Sequence, residues 1–182
     1  MFLRKSRIEP LPVTMSAVRM GERVLQIGVD DPAVASAIAA RVGLSGNAAI
    51  VVVDDRDAAR AQRAAASAGV LVDVKVATLA SLPFDSDAFD LVVVHSMHGF
   101  VSSLDAGARL AAMDEWRRVL RRGGRVMTIE AGPTVGFMNF IRHAPANEAS
   151  GGTLGALEAA GFAPVRLLAE REGYRFAEGI KN

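Results

Sequence analysis

The sequence predicts an α/β fold around a mainly parallel sheet, and three observations carry that reading. Residues 24–27, 48–53 and 91–94 are apolar runs with no polar face, as strands covered on both sides of a parallel sheet require. Segments of helical length, most of them stopped by glycine, alternate with these runs. The composition, 51% hydrophobic and 23% charged over 182 residues, suits one folded domain with a sizeable core.

Residues 1–20 carry Pro10 and Pro12 and little periodicity, and read as a covering arm with at most a short helix. The first strand, 24–27, ends at Gly28. Asp31 and Pro32 then have the chemistry of an N-cap and first helical position. Val34, Ile38 and Val42 continue as an i, i+4, i+8 stripe, which Gly43 closes. Strand, glycine turn and helix together offer backbone N–H groups to a ligand. The second strand, 48–53, runs into Asp54 and Asp55, and an alanine-rich helix over 56–68 stops at Gly69.

In the third strand Val72, Val74 and Val76 alternate with Asp73 and Lys75, which predicts one wet face near a sheet edge. A loop over 82–87 leads to the fourth strand, 89–95, central by its apolar run. The helix 105–122 carries Leu110, Met113, Trp116 and Leu120 on one face, and Gly123 and Gly124 end it. Residues 125–130 form the fifth strand. Residues 132–150 are irregular, with Pro133 and Pro145. Their Phe137, Met138, Phe140 and Ile141 fit a short helix packed on the core, or a lid over an apolar substrate. A short helix over 153–160 precedes two strands, 165–170 and 174–180, paired as an antiparallel edge hairpin around Gly173.

Several classes are disfavoured. A net charge of +1 gives no electrostatic case for nucleic acid. With no cysteine there is no disulfide, thiolate ligand or thiol nucleophile, and a reducing, cytoplasmic setting is expected. No run reaches the length of a membrane span, and the basic start is not followed by the apolar run of a signal peptide. His95 and His98 have no companion ligands at metal spacing, so no metal is expected.

Ligands of such sheets sit at the carboxyl ends of the strands, here residues 28–31, 54–55, 77–79 and 95–98. These positions and their neighbours resemble class I S-adenosylmethionine-dependent methyltransferases, most nearly the small-molecule branch that includes the ubiquinone and menaquinone biosynthesis enzymes. The resemblance spans residues 23–181. It rests on Leu82-Pro83-Phe84 with Phe89-Asp90-Leu91-Val92, on Glu115-Trp116-Arg117-Arg118-Val119-Leu120-Arg121-Arg122-Gly123-Gly124-Arg125, and on Ala160-Gly161-Phe162. It implies one domain over 1–182, a Rossmann-like three-layer sandwich whose seven-stranded, mainly parallel sheet has an antiparallel last strand.

The resemblance also implies S-adenosylmethionine as cofactor and methyl transfer to a small, apolar acceptor. The family's first loop reads roughly D-x-G-x-G-x-G; the matching positions here are Gln26, Gly28, Asp30 and Pro32, so one glycine is kept. Asp30 brings a charge that can attract the cofactor's ammonium or repel its carboxylate. Asp54 would hold the ribose, with Asp55 one residue out of register; Thr78 replaces the acid that meets the adenine amine, beside Leu79. His95 would line the methyl-transfer end. His98 is the candidate catalytic base, although a place in the pocket wall suits it better.

Blander readings stand beside these: a turn glycine at Gly28, a helix cap at Asp31, a solvated strand end at Asp54 and Asp55. The rival function is an inactive methyltransferase-fold domain acting through its surface, which the altered loop favours. A nicotinamide oxidoreductase is disfavoured, because the phosphate-binding glycines and a tyrosine–lysine pair are missing. A small-molecule acceptor is the expected partner, and a homo-oligomer is compatible with all of this.

Overall fold

The computed structural model describes residues 9–132 and 152–182. In chain order the elements are α1 (Leu11–Ser16), β1 (Arg23–Ile27), α2 (Pro32–Ala40), β2 (Asn47–Val52), α3 (Asp55–Ala68), β3 (Asp73–Val76), β4 (Phe89–Ser96), α4 (Ala106–Val119), β5 (Leu120–Ala131), α5 (Gly152–Ala159), β6 (Val165–Arg171) and β7 (Tyr174–Ile180). They form one seven-stranded sheet in the order β3-β2-β1-β4-β5-β7-β6. β1 to β5 pair in parallel, and β7 joins antiparallel between β5 and β6. The Rossmann-like sandwich and the edge hairpin expected from the sequence are both present.

Strand parity decides the layers. Val24, Leu91, Val93, Met127 and Ile129 face α1 and α2. Leu25, Ile27, Val92, Val94 and Val126 face α4 and α5, where Met113, Trp116, Leu157 and Phe162 pack. Ala58 and Ala61 seat α3 on Ile50 and Val52. Burial of these side chains, each about 1.5–3 kcal/mol when complete, dominates the stability of the sheet.

Two elements depart from the sequence reading. The helix expected over 105–122 ends at Val119, and Leu120 to Gly124 are already strand. Leu120 pairs with Phe89, a bulge in β4–β5 separates that pair from Leu91↔Arg125, and Gly123 and Gly124 exchange backbone hydrogen bonds with Lys181. The two glycines therefore serve a strand irregularity rather than a helix stop. In β3 the expected inward valines are not all covered. Val76 is half exposed, while Lys75 is partly buried with its ammonium 4.5 Å from the Phe84 ring centre. The candidate lid, beyond Gly132, lies outside the described residues.

Candidate functional site

From β1 the sheet order runs outward through β2 and β3 on one side and through β4 and β5 on the other. The reversal falls between β1 and β4, so a crevice opens at their carboxyl ends, where ligands of such sheets bind. Gly28 leaves β1 at φ +74°, and a Cβ there would meet the His95 carbonyl oxygen at 3.1 Å. This glycine is required twice, by backbone conformation and by close approach.

Asp30 comes next, and its side chain crosses the crevice. Oδ2 accepts the backbone N–H of Met97 at 2.7 Å, and Oδ1 lies 3.0 Å from His98 Nδ1. With the carboxylate accepting, Nδ1 carries a proton, and in the neutral ring the lone pair is then on Nε2. The His98 side chain is 82% exposed, that of Asp30 17%. Asp31 is the N-cap of α2, accepting from the Ala33 N–H at 2.8 Å.

His95 does not line the crevice as the sequence reading has it. It shares the α2 face with Val93, its ring is turned inward, and the residue is 3% exposed. Its Nε2 lies 2.9 Å from Gln26 Oε1, and Gln26 Nε2 donates to the Ala35 carbonyl at 2.9 Å. Gln26 is thus the acceptor and His95 the donor, so Nε2 holds the proton. Burial drives the imidazole pKa down to about 4, against an upward pull from Asp30 and Asp31. The neutral ring supports the first loop from beneath, and the His95 backbone carbonyl and Cβ pack against Gly28.

Asp54 follows β2 as the N-cap of α3; Oδ1 accepts from the Asp57 N–H at 2.8 Å, and among the described residues no hydrogen bond occupies Oδ2. Asp55 is the first helical residue, and both acids are exposed. Arg60, on the same helix, binds Asp57 at 2.6 Å and reaches the Asp30 carbonyl at 3.4 Å. After β3, Thr78 is exposed and Leu79 is buried against the α4 side of the core. The structure thus puts Gly28, Asp30 and His98 together at the crevice, Asp54 and Asp55 at the adjacent strand end, and Thr78 and Leu79 one strand further out.

Two features escaped the sequence reading. Gln26 was matched to an acid of the loop motif, but here it carries the chain of hydrogen bonds from His95 to α2. Glu130, paired in register with Ser96 of β4, is an acid partly buried at the carboxyl end of β5. Burial raises its pKa, against Thr153, whose hydroxyl donates to Oε1 at 2.5 Å, and against Arg175 and Arg109. A charged residue closing an apolar strand at its carboxyl end was the available signal.

Among the described residues no group of three or more His, Cys, Asp or Glu is placed to hold a metal, and no helix is long and apolar enough to cross a membrane.

The sheet order defines a Rossmann-like α/β protein with its switch point between β1 and β4. The chain belongs to the methyltransferase domain family, which matches residues 22–128. Comparison with curated proteins finds no match. Solved structures share the fold. A SAM-dependent methyltransferase from Aquifex aeolicus superposes with a TM-score of 0.72 at 16% identity, over 93% of this chain and 87% of that one. The YcgJ protein of Bacillus subtilis gives 0.61 at 20% identity, over 86% and 68%. PigF, solved with SAH, gives 0.65 at 17% identity, over 88% of this chain and 50% of its own.

Proposed function

We propose that this protein transfers a methyl group from S-adenosylmethionine to a small, apolar acceptor, as a member of the small-molecule branch of the family. The observation that carries this is the switch point between the carboxyl ends of β1 and β4 in a chain that belongs to the methyltransferase domain family.

S-adenosylmethionine supplies, when bound, an electrophilic methyl group on a sulfonium. The chain's own residues bind and orient it. Gly28 opens the loop, and Asp54, with Oδ2 uncommitted, accepts from the ribose hydroxyls; Asp55 is the alternative in the next register. Leu79 provides an apolar contact and the Thr78 hydroxyl an acceptor for the adenine amine. Asp30 meets the ammonium. His95 acts through Gln26, as a positioning residue under the loop. His98 offers Nε2 as a base where the acceptor loses a proton; otherwise alignment alone carries the reaction.

Titration calorimetry with S-adenosylhomocysteine tests the reading. A micromolar dissociation constant, lost in Asp54→Ala, is expected. The absence of heat and of any thermal shift at millimolar ligand overturns it.

A second reading, an inactive domain acting through its surface, is favoured by one observation. At the other end of the sheet a groove of about 780 Å³ runs between the C-terminal ends of α2 and α3. Leu44 and Leu71 line it, both almost wholly exposed, and Met20 lies against Gly43 at its rim. Exposed apolar side chains of this size mark interaction surfaces.

A further inference from the structure

Asp30 is the loop position whose charge reaches into the crevice, and neither a helix cap nor a positive φ demands it there. Asp31, not Asp30, caps α2, and Gly28, not residue 30, needs the positive φ. The Asp30 carboxylate instead reaches across to β4. It takes the Met97 N–H at 2.7 Å and the His98 ring at 3.0 Å. A ligand carboxylate approaching this end of the crevice therefore finds a backbone donor already bonded and a like charge in its place. A ligand ammonium finds the partner it needs.

The surrounding charges point the same way. Asp31, Asp54 and Asp55 stand on the same two strand exits. Among the described residues the cation reaching this loop is Arg60, and its guanidinium is spent on Asp57 and on the Asp30 carbonyl. Among the described residues no further lysine or arginine is placed to offset a second carboxylate, His98 being already engaged by Asp30, and like charges placed together in such a site cost affinity.

Resting on the cofactor reading above, we propose that Asp30 makes the crevice read the amino-acid end of its adenosyl ligand as a cation. It holds the ammonium and weakens the hold on the α-carboxylate. An adenosyl thioether ending in an amine alone is then preferred over one carrying the whole amino acid.

The test is calorimetry on the full chain with three probes: S-adenosylhomocysteine, its decarboxylated amine S-adenosyl-3-thiopropylamine, and 5′-methylthioadenosine, which lacks both groups. The amine is expected to bind about tenfold or more tightly than S-adenosylhomocysteine. Asp30→Asn keeps an oxygen for the Met97 amide and removes the charge. The preference should collapse in it, while 5′-methylthioadenosine binds as before. Asp30→Gly, which removes the tie altogether, should tighten S-adenosylhomocysteine. A native preference for S-adenosylhomocysteine over the amine, or a preference for the amine that survives Asp30→Asn, overturns the inference and leaves the cofactor reading standing. Failure of all three probes to bind at millimolar concentration removes both.

Discussion

Glu115 and Arg118, one turn apart on α4, jointly hold the loop that follows Leu79. Glu115 Oε2 accepts the Leu82 N–H at 2.7 Å, and Arg118 donates to the carbonyls of Leu82 at 3.1 Å and Phe84 at 2.9 Å. The two side chains also pair with each other at 2.6 Å. The wall of the crevice on the β3 side is therefore fastened to α4, whose inner face is buried in the core.

Glu115→Ala leaves the Leu82 amide and the Arg118 guanidinium short of a partner and should cost about 1–2 kcal/mol in chemical denaturation. The Arg118 hydrogen bond first, then the Leu82 amide and the Arg118 charge, lower the Glu115 pKa below its ordinary 4.5. The stabilisation is thus present above that value and lost as pH falls through the lower, folded one. The variant's deficit should shrink on acidification; a deficit that persists unchanged to the acid limit contradicts this.

His95 gives a second pH window. The folded ring titrates near 4 and the unfolded one near 6.5, so the unfolded chain binds the extra proton in between. Stability should fall with decreasing pH across that interval, by about 3 kcal/mol in all, and level off below it. Denaturant midpoints at closely spaced pH values measure the slope, and His95→Gln should flatten it.

Glu130 has the opposite sign. Burial raises its folded pKa, so its contribution is present below the unfolded value and lost as pH rises through the folded one. Glu130→Gln keeps an acceptor for the Thr153 hydroxyl and removes the buried charge. Its melting temperature should exceed the wild type's at pH 8 and approach it at pH 4. A variant less stable than wild type at pH 8 would show that the charge itself is needed.

Asp54 combines a cap with the proposed ribose contact. Asparagine caps as well as aspartate, so Asp54→Asn should leave the melting temperature unchanged while weakening S-adenosylhomocysteine about tenfold. Asp54→Ala should in addition cost about 1 kcal/mol of stability. Equal affinity in wild type and Asp54→Asn would move the ribose contact to Asp55.

The fold was legible because its central strands are apolar on both faces and their helices begin and end on recognisable residues, Asp31 with Pro32 and Gly69 among them. The start of β5 was not. Gly123-Gly124 after a helical stripe reads as a stop, and only pairing with Phe89 and Lys181, far away in the chain, makes it strand. The site divided likewise. The sequence identified the strand ends and the charge at residue 30, but not its bond to the Met97 amide, which lies 67 residues on. Nor did it show which way His95 points. Parity puts that ring on the face of Val93, but the helix covering the face, and the glutamine beneath it, belong to the tertiary structure.

The tie across the crevice has a genetic consequence. Aspartate and glycine codons differ by a single middle base, and residue 30 has no backbone requirement for either, its φ not being positive. One nucleotide change therefore removes the charge and its tie to the Met97 amide while leaving the strand residues, the Asp31 cap and the core side chains as they are. The selectivity proposed for this site is thus a trait that evolution or an engineer reaches in one step, in either direction.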